Sequence, residues 1–135
     1  MRKLFLALLS GFLLAFSWPA IGIFPLVFFA FVPLLILEKE ATNSKQVFFY
    51  SFLAFFIFNT ITTYWVYHAT FFGAIAAFLI NAFLMATAFL LFHKIKNRIS
   101  NRAGYIAFIT IWITMEFLHL NWDLSWPWLT LGNVF

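Results

Sequence analysis

Cysteine is absent from all 135 residues. The chain can therefore supply no disulfide framework, no thiolate metal site and no thiol nucleophile. Charge is nearly as scarce: Asp, Glu, Lys and Arg make up 9% of the residues, where a soluble domain averages about 25%. The acids are Glu38, Glu40, Glu116 and Asp123. Glu116-Phe-Leu-His119 matches the E-x-x-H of carboxylate-bridged metal bundles. Such a site needs a second copy of the motif and two further Glu on facing helices. Glu38 and Glu40 fall at the wrong end, so no metal is expected. No GxxxG, internal repeat or low-complexity linker is present, which removes the usual signs of small-residue helix dimers and repeat arrays.

What is there is apolar. The composition is 65% hydrophobic and includes 22 Phe. No soluble fold of this size hides that much apolar surface, so the solvent is lipid. The net charge of +4 signals no nucleic-acid partner, because the few bases sit in short segments between apolar runs, as membrane orientation requires. Arg2, Lys3 and the run from Leu4 to Phe16 imitate a secretory leader. Bulky Trp18 and Pro19 spoil the small-residue cleavage site, so retention as a first helix is expected.

The apolar runs predict an all-α membrane protein with helices near 4–18, 21–37, 47–66, 71–92 and 105–120. Pro19 ends the first, because proline disfavours helix at the residue before it and has no N–H to donate. Pro25 suits the first turn of the second, and Pro33 should kink it. Both early runs are short against the ~20 residues of a full crossing, so they form either one broken crossing or a Pro-broken hairpin. Charge decides. With a hairpin, all 8 Lys and Arg lie on one side, as the positive-inside rule demands. The expectation is five transmembrane helices, a cytoplasmic N-terminus, a basic loop over 93–102, and a Trp-rich outer segment over 121–135. Trp18, Tyr64, Trp65, Tyr67, Trp122, Trp126 and Trp128 would form its aromatic belt.

Glu116 is the sharpest single residue. Trp112, Glu116 and His119 are spaced i, i+4, i+7 and share a helical face, which Asp123 would join if the helix continues. A carboxylate near the end of a membrane helix is hydrated by headgroup water or faces a cavity, and both readings stay open. His119, Asp123 and Ser125 resemble a hydrolase triad only by proximity, and a solvated helix cap explains them. Thr60, Tyr64 and His68 are spaced by four and would share a face, within a polar stripe that includes Asn59, Thr62 and Thr63. Asn81 is read as an interhelical hydrogen bond. Trp126-Pro127-Trp128 is either an interfacial anchor or a wall for an acyl chain or headgroup.

Four segments together resemble one family, the bacterial apolipoprotein N-acyltransferases. They are Phe16-Ser-Trp-Pro-Ala-Ile-Gly-Ile-Phe-Pro25 with Phe31-Val-Pro-Leu-Leu35, Thr63-Tyr-Trp-Val-Tyr67 with Phe72-Gly73, Trp112-Ile-Thr-Met-Glu-Phe-Leu118, and Ser125-Trp-Pro-Trp-Leu-Thr-Leu-Gly132. The resemblance covers nearly the whole chain. It departs where His119 stands for an Arg and Trp126 for a Phe. It implies a bacterial inner-membrane bundle of eight helices, with a periplasmic nitrilase-like domain inserted before the last. It also implies transfer of an acyl chain from phospholipid to the N-terminal cysteine amine of a lipoprotein, through a Glu-Lys-Cys set in that domain. No catalytic residue carries over to this cysteine-free chain, and no cofactor is implied. Trp65, Glu116, His119, Trp126 and Trp128 carry over as substrate-binding candidates. The expectation is an apparently truncated membrane base, inactive alone, with phospholipid, a lipoprotein or a catalytic half as partners. The alternatives are a non-catalytic small membrane protein, or half of a transporter.

Overall fold

The computed structural model describes residues 1–122 and 125–135; Asp123, and with it the proposed fourth member of the Glu116 face, lies outside them. The described residues contain helices and no strand. The helices are α1 (Arg2–Ser17), α2 (Val27–Ala30), α3 (Val32–Glu40), α4 (Ser44–Thr63), α5 (Phe71–Arg98) and α6 (Asn101–Leu120), with short 3-10 turns at Phe24–Leu26, Tyr64–His68, Pro127–Leu129 and Leu131–Val134.

The expected Pro-broken hairpin is present. Trp18, before Pro19, is extended at ψ 150 and caps α1. Gly22 then takes φ +83, a left-handed value that only glycine adopts without strain. The return arm is interrupted at Phe31, and Pro33 sits in the first turn of α3. Ser10 Oγ donates to Ala30 O at this break, satisfying a carbonyl freed by the interruption. On its other side α1 meets α4 closely: a methyl at Gly11 would lie 2.7 Å from Ala54 O.

Side-chain caps set the long helices. Asn43 Oδ1 accepts from Gln46 N at 2.9 Å, Thr70 Oγ1 from Gly73 N at 3.3 Å, and Ser100 Oγ from Ala103 N at 3.2 Å. Each satisfies an orphan N–H of a first turn. Because Ser100 starts α6, α5 runs on through the basic segment to Arg98. The loop expected over 93–102 is thus mostly helix, its charges spread along α5. Likewise the polar stretch from Glu38 begins inside α3, and Glu38 is buried at 3% exposure rather than lying in a loop.

The core is aromatic. Phe31 from the hairpin break meets Trp112 of α6 edge-on at 5.0 Å. Phe55 of α4 touches both Trp112 and Phe89 of α5, and Phe108 closes the cluster against Phe89 and Phe92. Three of these pairs are edge-to-face and two tilted, arrangements that suit the ring quadrupoles, and together they join the hairpin to every long helix. Asn81 Nδ2 on α5 donates to Asn59 Oδ1 on α4 at 2.6 Å, and Asn59 Nδ2 to Phe55 O at 2.7 Å.

Three helical stretches are long and apolar enough to cross a membrane: Ser44–His68, Phe71–Arg98 and Asn101–Leu120. Within the first two, 44% of the most apolar window is buried, against 11% in α6. One face of α6 is packed on the core and the rest is open.

Candidate functional site at the aromatic end

The end of the bundle away from the lysines and arginines is built around Trp128. Three other segments reach it or its neighbours in the 125–135 segment. Trp18 Nε1 donates to Trp128 O at 3.2 Å, while its own ring sits edge-on to Phe58 at 4.9 Å. Trp65, in the turn after α4, meets the Trp128 ring edge-on at 5.5 Å. From α6, Glu116 Oε1 accepts from Trp112 Nε1 at 2.8 Å and from Leu131 N at 2.9 Å. Asn133 Nδ2 donates to Pro127 O at 2.7 Å and closes the segment on itself.

The helical spacing of Trp112 and Glu116 therefore makes a hydrogen bond. The Glu116 carboxylate is neither simply hydrated nor the wall of a large cavity. It ties the 125–135 segment down onto α6. Oε1 is committed to two donors, and no hydrogen bond to Oε2 is found among the described residues.

His119 does not join that pair. Both its ring nitrogens, and Trp126 Nε1, are buried without a hydrogen-bond partner among the described residues. The three lie around a void of about 10 Å³ shared with Asn81, Glu116 and Thr130, room for about one water with ample polar partners. His119 and Trp126 also line a recess of about 400 Å³, whose far wall is Thr70, which caps α5, and Gly73, Ala77 and Asn81 on that helix. His119 borders a second, apolar groove of about 640 Å³ between α5 and α6, walled by Leu84, Leu91, Ile111 and Leu118.

Other expectations change. Trp18 is only 6% exposed and is a buried strut, not a belt residue. Trp65, Trp122, Trp128, Tyr64 and Tyr67 are exposed, and Trp126 is half-buried. The shared face of Thr60, Tyr64 and His68 is lost, because the chain tightens to a 3-10 turn at Tyr64 and three residues per turn no longer align positions four apart. Thr60, Thr62 and Thr63 bond back to carbonyls of their own helix and do not bridge helices. Ser125 is exposed, and the triad with Asp123 lies partly outside the described residues. Trp18 was the site residue the sequence hid: its belt-like position masked a buried N–H.

The fold and this end together define an all-helical membrane domain whose aromatic end is a tryptophan-walled platform beside recesses of about 400 and 640 Å³. More particularly, residues 10–135 match the family described as apolipoprotein N-acyltransferase N-terminal domain, and the chain belongs to that family. It is 33% identical over 135 residues to the apolipoprotein N-acyltransferase of Chlorobaculum tepidum, a match covering 98% of this chain and 25% of the relative. It is 28% identical over 143 residues to that of Geobacter metallireducens, covering 97% and 27%. The chain thus spans about a quarter of the length of these relatives. No solved structure matches it significantly.

Proposed function

We propose that this chain serves as the membrane domain of an apolipoprotein N-acyltransferase in a bacterial inner membrane. Its aromatic end forms the periplasmic wall that holds lipid substrates. The hairpin and the three long helices make five crossings, and the N-terminus is cytoplasmic. All 8 Lys and Arg fall at the starts of α1, α4 and α6 or the ends of α3 and α5, which is the cytoplasmic pattern.

The observation that carries the reading is convergence. The four sequence segments that resemble the family are far apart in the chain, yet Trp18, Trp65, Glu116 and Trp128 come from one each and meet at one end. Trp128 and Trp65 offer exposed apolar faces, and the neighbouring groove can take an acyl chain. Trp126 and His119 add ring N–H groups suited to ester or headgroup oxygens. The substrates are accordingly phospholipid and the lipidated N-terminus of a lipoprotein. Acyl transfer itself is assigned outside this chain's residues, which include no cysteine.

A chimera tests this. The chain is substituted for the matching quarter of the Chlorobaculum tepidum relative and expressed in cells depleted of their own transferase. Restored lipoprotein N-acylation is expected from the chimera and none from the 135-residue chain alone. A membrane-inserted but inactive chimera, or rescue by the chain alone, would count against the assignment.

A further inference from the structure

The basic end holds a buried cluster that the proposed function does not use. Glu38, near the end of α3, is 3% exposed. Its Oε1 lies 2.7 Å from His93 Nδ1, and its Oε2 is bonded to Lys96 Nζ; both partners are on α5. An ionised carboxylate only accepts, so His93 Nδ1 carries the shared hydrogen. Asn97 Nδ2 stands 3.1 Å from His93 Nδ1 and 3.2 Å from Nε2; with Nδ1 donating to Glu38, Nε2 is the ring nitrogen able to accept from Asn97. The Lys96 ammonium also lies 5.7 Å from the Phe92 ring and 5.8 Å from that of Tyr105. Gly104 of α6 makes the space: a methyl there would overlap Lys96 Cα and Cβ. The α3 carboxylate thus has both oxygens used by α5 and its charge matched by Lys96, while α6 packs against Lys96.

The remaining ties of α3 are local or apolar. Arg2 pairs with Glu40 at 2.9 Å, but that bond stays within the hairpin. Among the described residues Glu38 is the polar link from α3 to the long helices. Apolar contact alone sets register weakly in lipid, where the tails are as apolar as the helix faces. A buried ion pair, by contrast, is satisfied in one arrangement only. The far end of the same hairpin is where Trp18 grips Trp128.

We propose that Glu38, His93 and Lys96 form a docking key that fixes the register of the hairpin on α5, and so determines where Trp18 holds the Trp128 segment. They are positioning residues, acting through the hairpin on the opposite end of the bundle. The inference rests on the proposed function only for what that segment is used for, and its geometry is tested without any activity.

The chain has no cysteine, so a reporter pair can be introduced cleanly. Phe24 at the hairpin turn and Phe135 have ring centroids 6.0 Å apart. Phe24→Cys with Phe135→Cys in the full chain, reconstituted in liposomes, is cross-linked with a short bis-maleimide. The reporter is then combined with E38Q, E38K, K96E and E38K/K96E. Helical content is followed by circular dichroism. E38Q should slow cross-linking about fivefold and E38K more, while the double reversal E38K/K96E recovers to within about twofold of the parent, as coupled residues do in a double-mutant cycle. Unchanged rates in E38Q and E38K overturn the proposal, as does a double reversal no faster than E38K. Should E38K fail to fold, E38Q decides alone, since it keeps shape and removes only the charge. An inactive chimera with normal cross-linking strikes the proposed function and leaves this inference standing; unchanged cross-linking with an active chimera does the reverse.

Discussion

Two buried or half-buried carboxylates sit at opposite ends of the bundle, and they are closed differently. Glu38 is met by a lysine and a histidine from one neighbouring helix. Glu116 is met by two neutral N–H groups, the Trp112 indole and the Leu131 amide. A charge matched by a charge in a dry site tolerates little displacement, because separation leaves both ions unsolvated. A carboxylate held by neutral donors keeps its second oxygen in reserve and can be released at lower cost. The basic end therefore fixes helix register. The aromatic end holds a segment in place beside the recesses bordered by His119.

The largest expected effect breaks the basic end. Glu38→Ala leaves Lys96 buried without its counter-ion, and removing one partner of a buried ion pair costs about 3–5 kcal/mol. Unfolding of the purified chain in detergent, titrated with SDS, should shift by that amount. Loss of less than about 1 kcal/mol, the size of an exposed pair, would show that the site is wetter than its 3% exposure implies.

Glu116→Ala is the matching test at the other end. It removes two hydrogen bonds to a charged acceptor, each worth about 1.5–3 kcal/mol at most. Part of that is recovered because both freed donors can relax toward water. The loss should be local: amides from Ser125 to Val134 should exchange faster, with Leu131 most affected, while protection in α4 and α5 is kept. If the α4 and α5 amides lose protection equally, Glu116 supports the whole bundle, and the contrast between the ends collapses.

Much of this architecture was readable from the chain. Proline at 19 and 33 placed the hairpin and its break, because a missing N–H and a fixed φ act locally and need no partner. The i, i+4 spacing of Trp112 and Glu116 placed them on one face for the same reason, but the bond between them is visible only in the fold. Helix ends were misread where a polar cap lay beyond the hydropathy step: α5 passes through its lysines to Arg98, since the stop and restart at Ile99 and Ser100 are matters of backbone hydrogen bonding. Glu38 was misread for a different cause. A carboxylate beside Lys39 and Glu40 reads as a loop, and only the fold reveals two bases 55 and 58 positions further on. The convergence on Trp128 was hidden in the same way, since contacts across 110 positions leave no periodicity.

Between the two ends, Asn59 and Asn81 form the polar bridge of the bundle's middle. Asn81→Leu removes a 2.6 Å interhelical bond and should cost about 0.6–1.7 kcal/mol, the range of hydrogen bonds between membrane helices. SDS unfolding reads it directly. A double variant with Asn59→Leu should cost less than the sum of the singles, because the second change no longer strands an amide. Strict additivity would mean that the two amides do not share a bond.

The smallest effect belongs to the outermost contact. Trp65 and Trp128 are 46% and 52% exposed, and their edge-on pairing adds about 0.5 kcal/mol. Trp65→Leu should barely move the unfolding midpoint of the chain. Its consequence should instead appear in binding, because the variant strips one aromatic face from the platform while leaving the Trp18 and Glu116 ties to the segment intact. In the chimera, Trp65→Leu should lower turnover with phospholipid donor more than it lowers stability. Glu38→Ala should lose both together. Equal losses in stability and turnover for Trp65→Leu would make Trp65 a structural prop like Glu38. The two ends would then differ in chemistry but not in purpose.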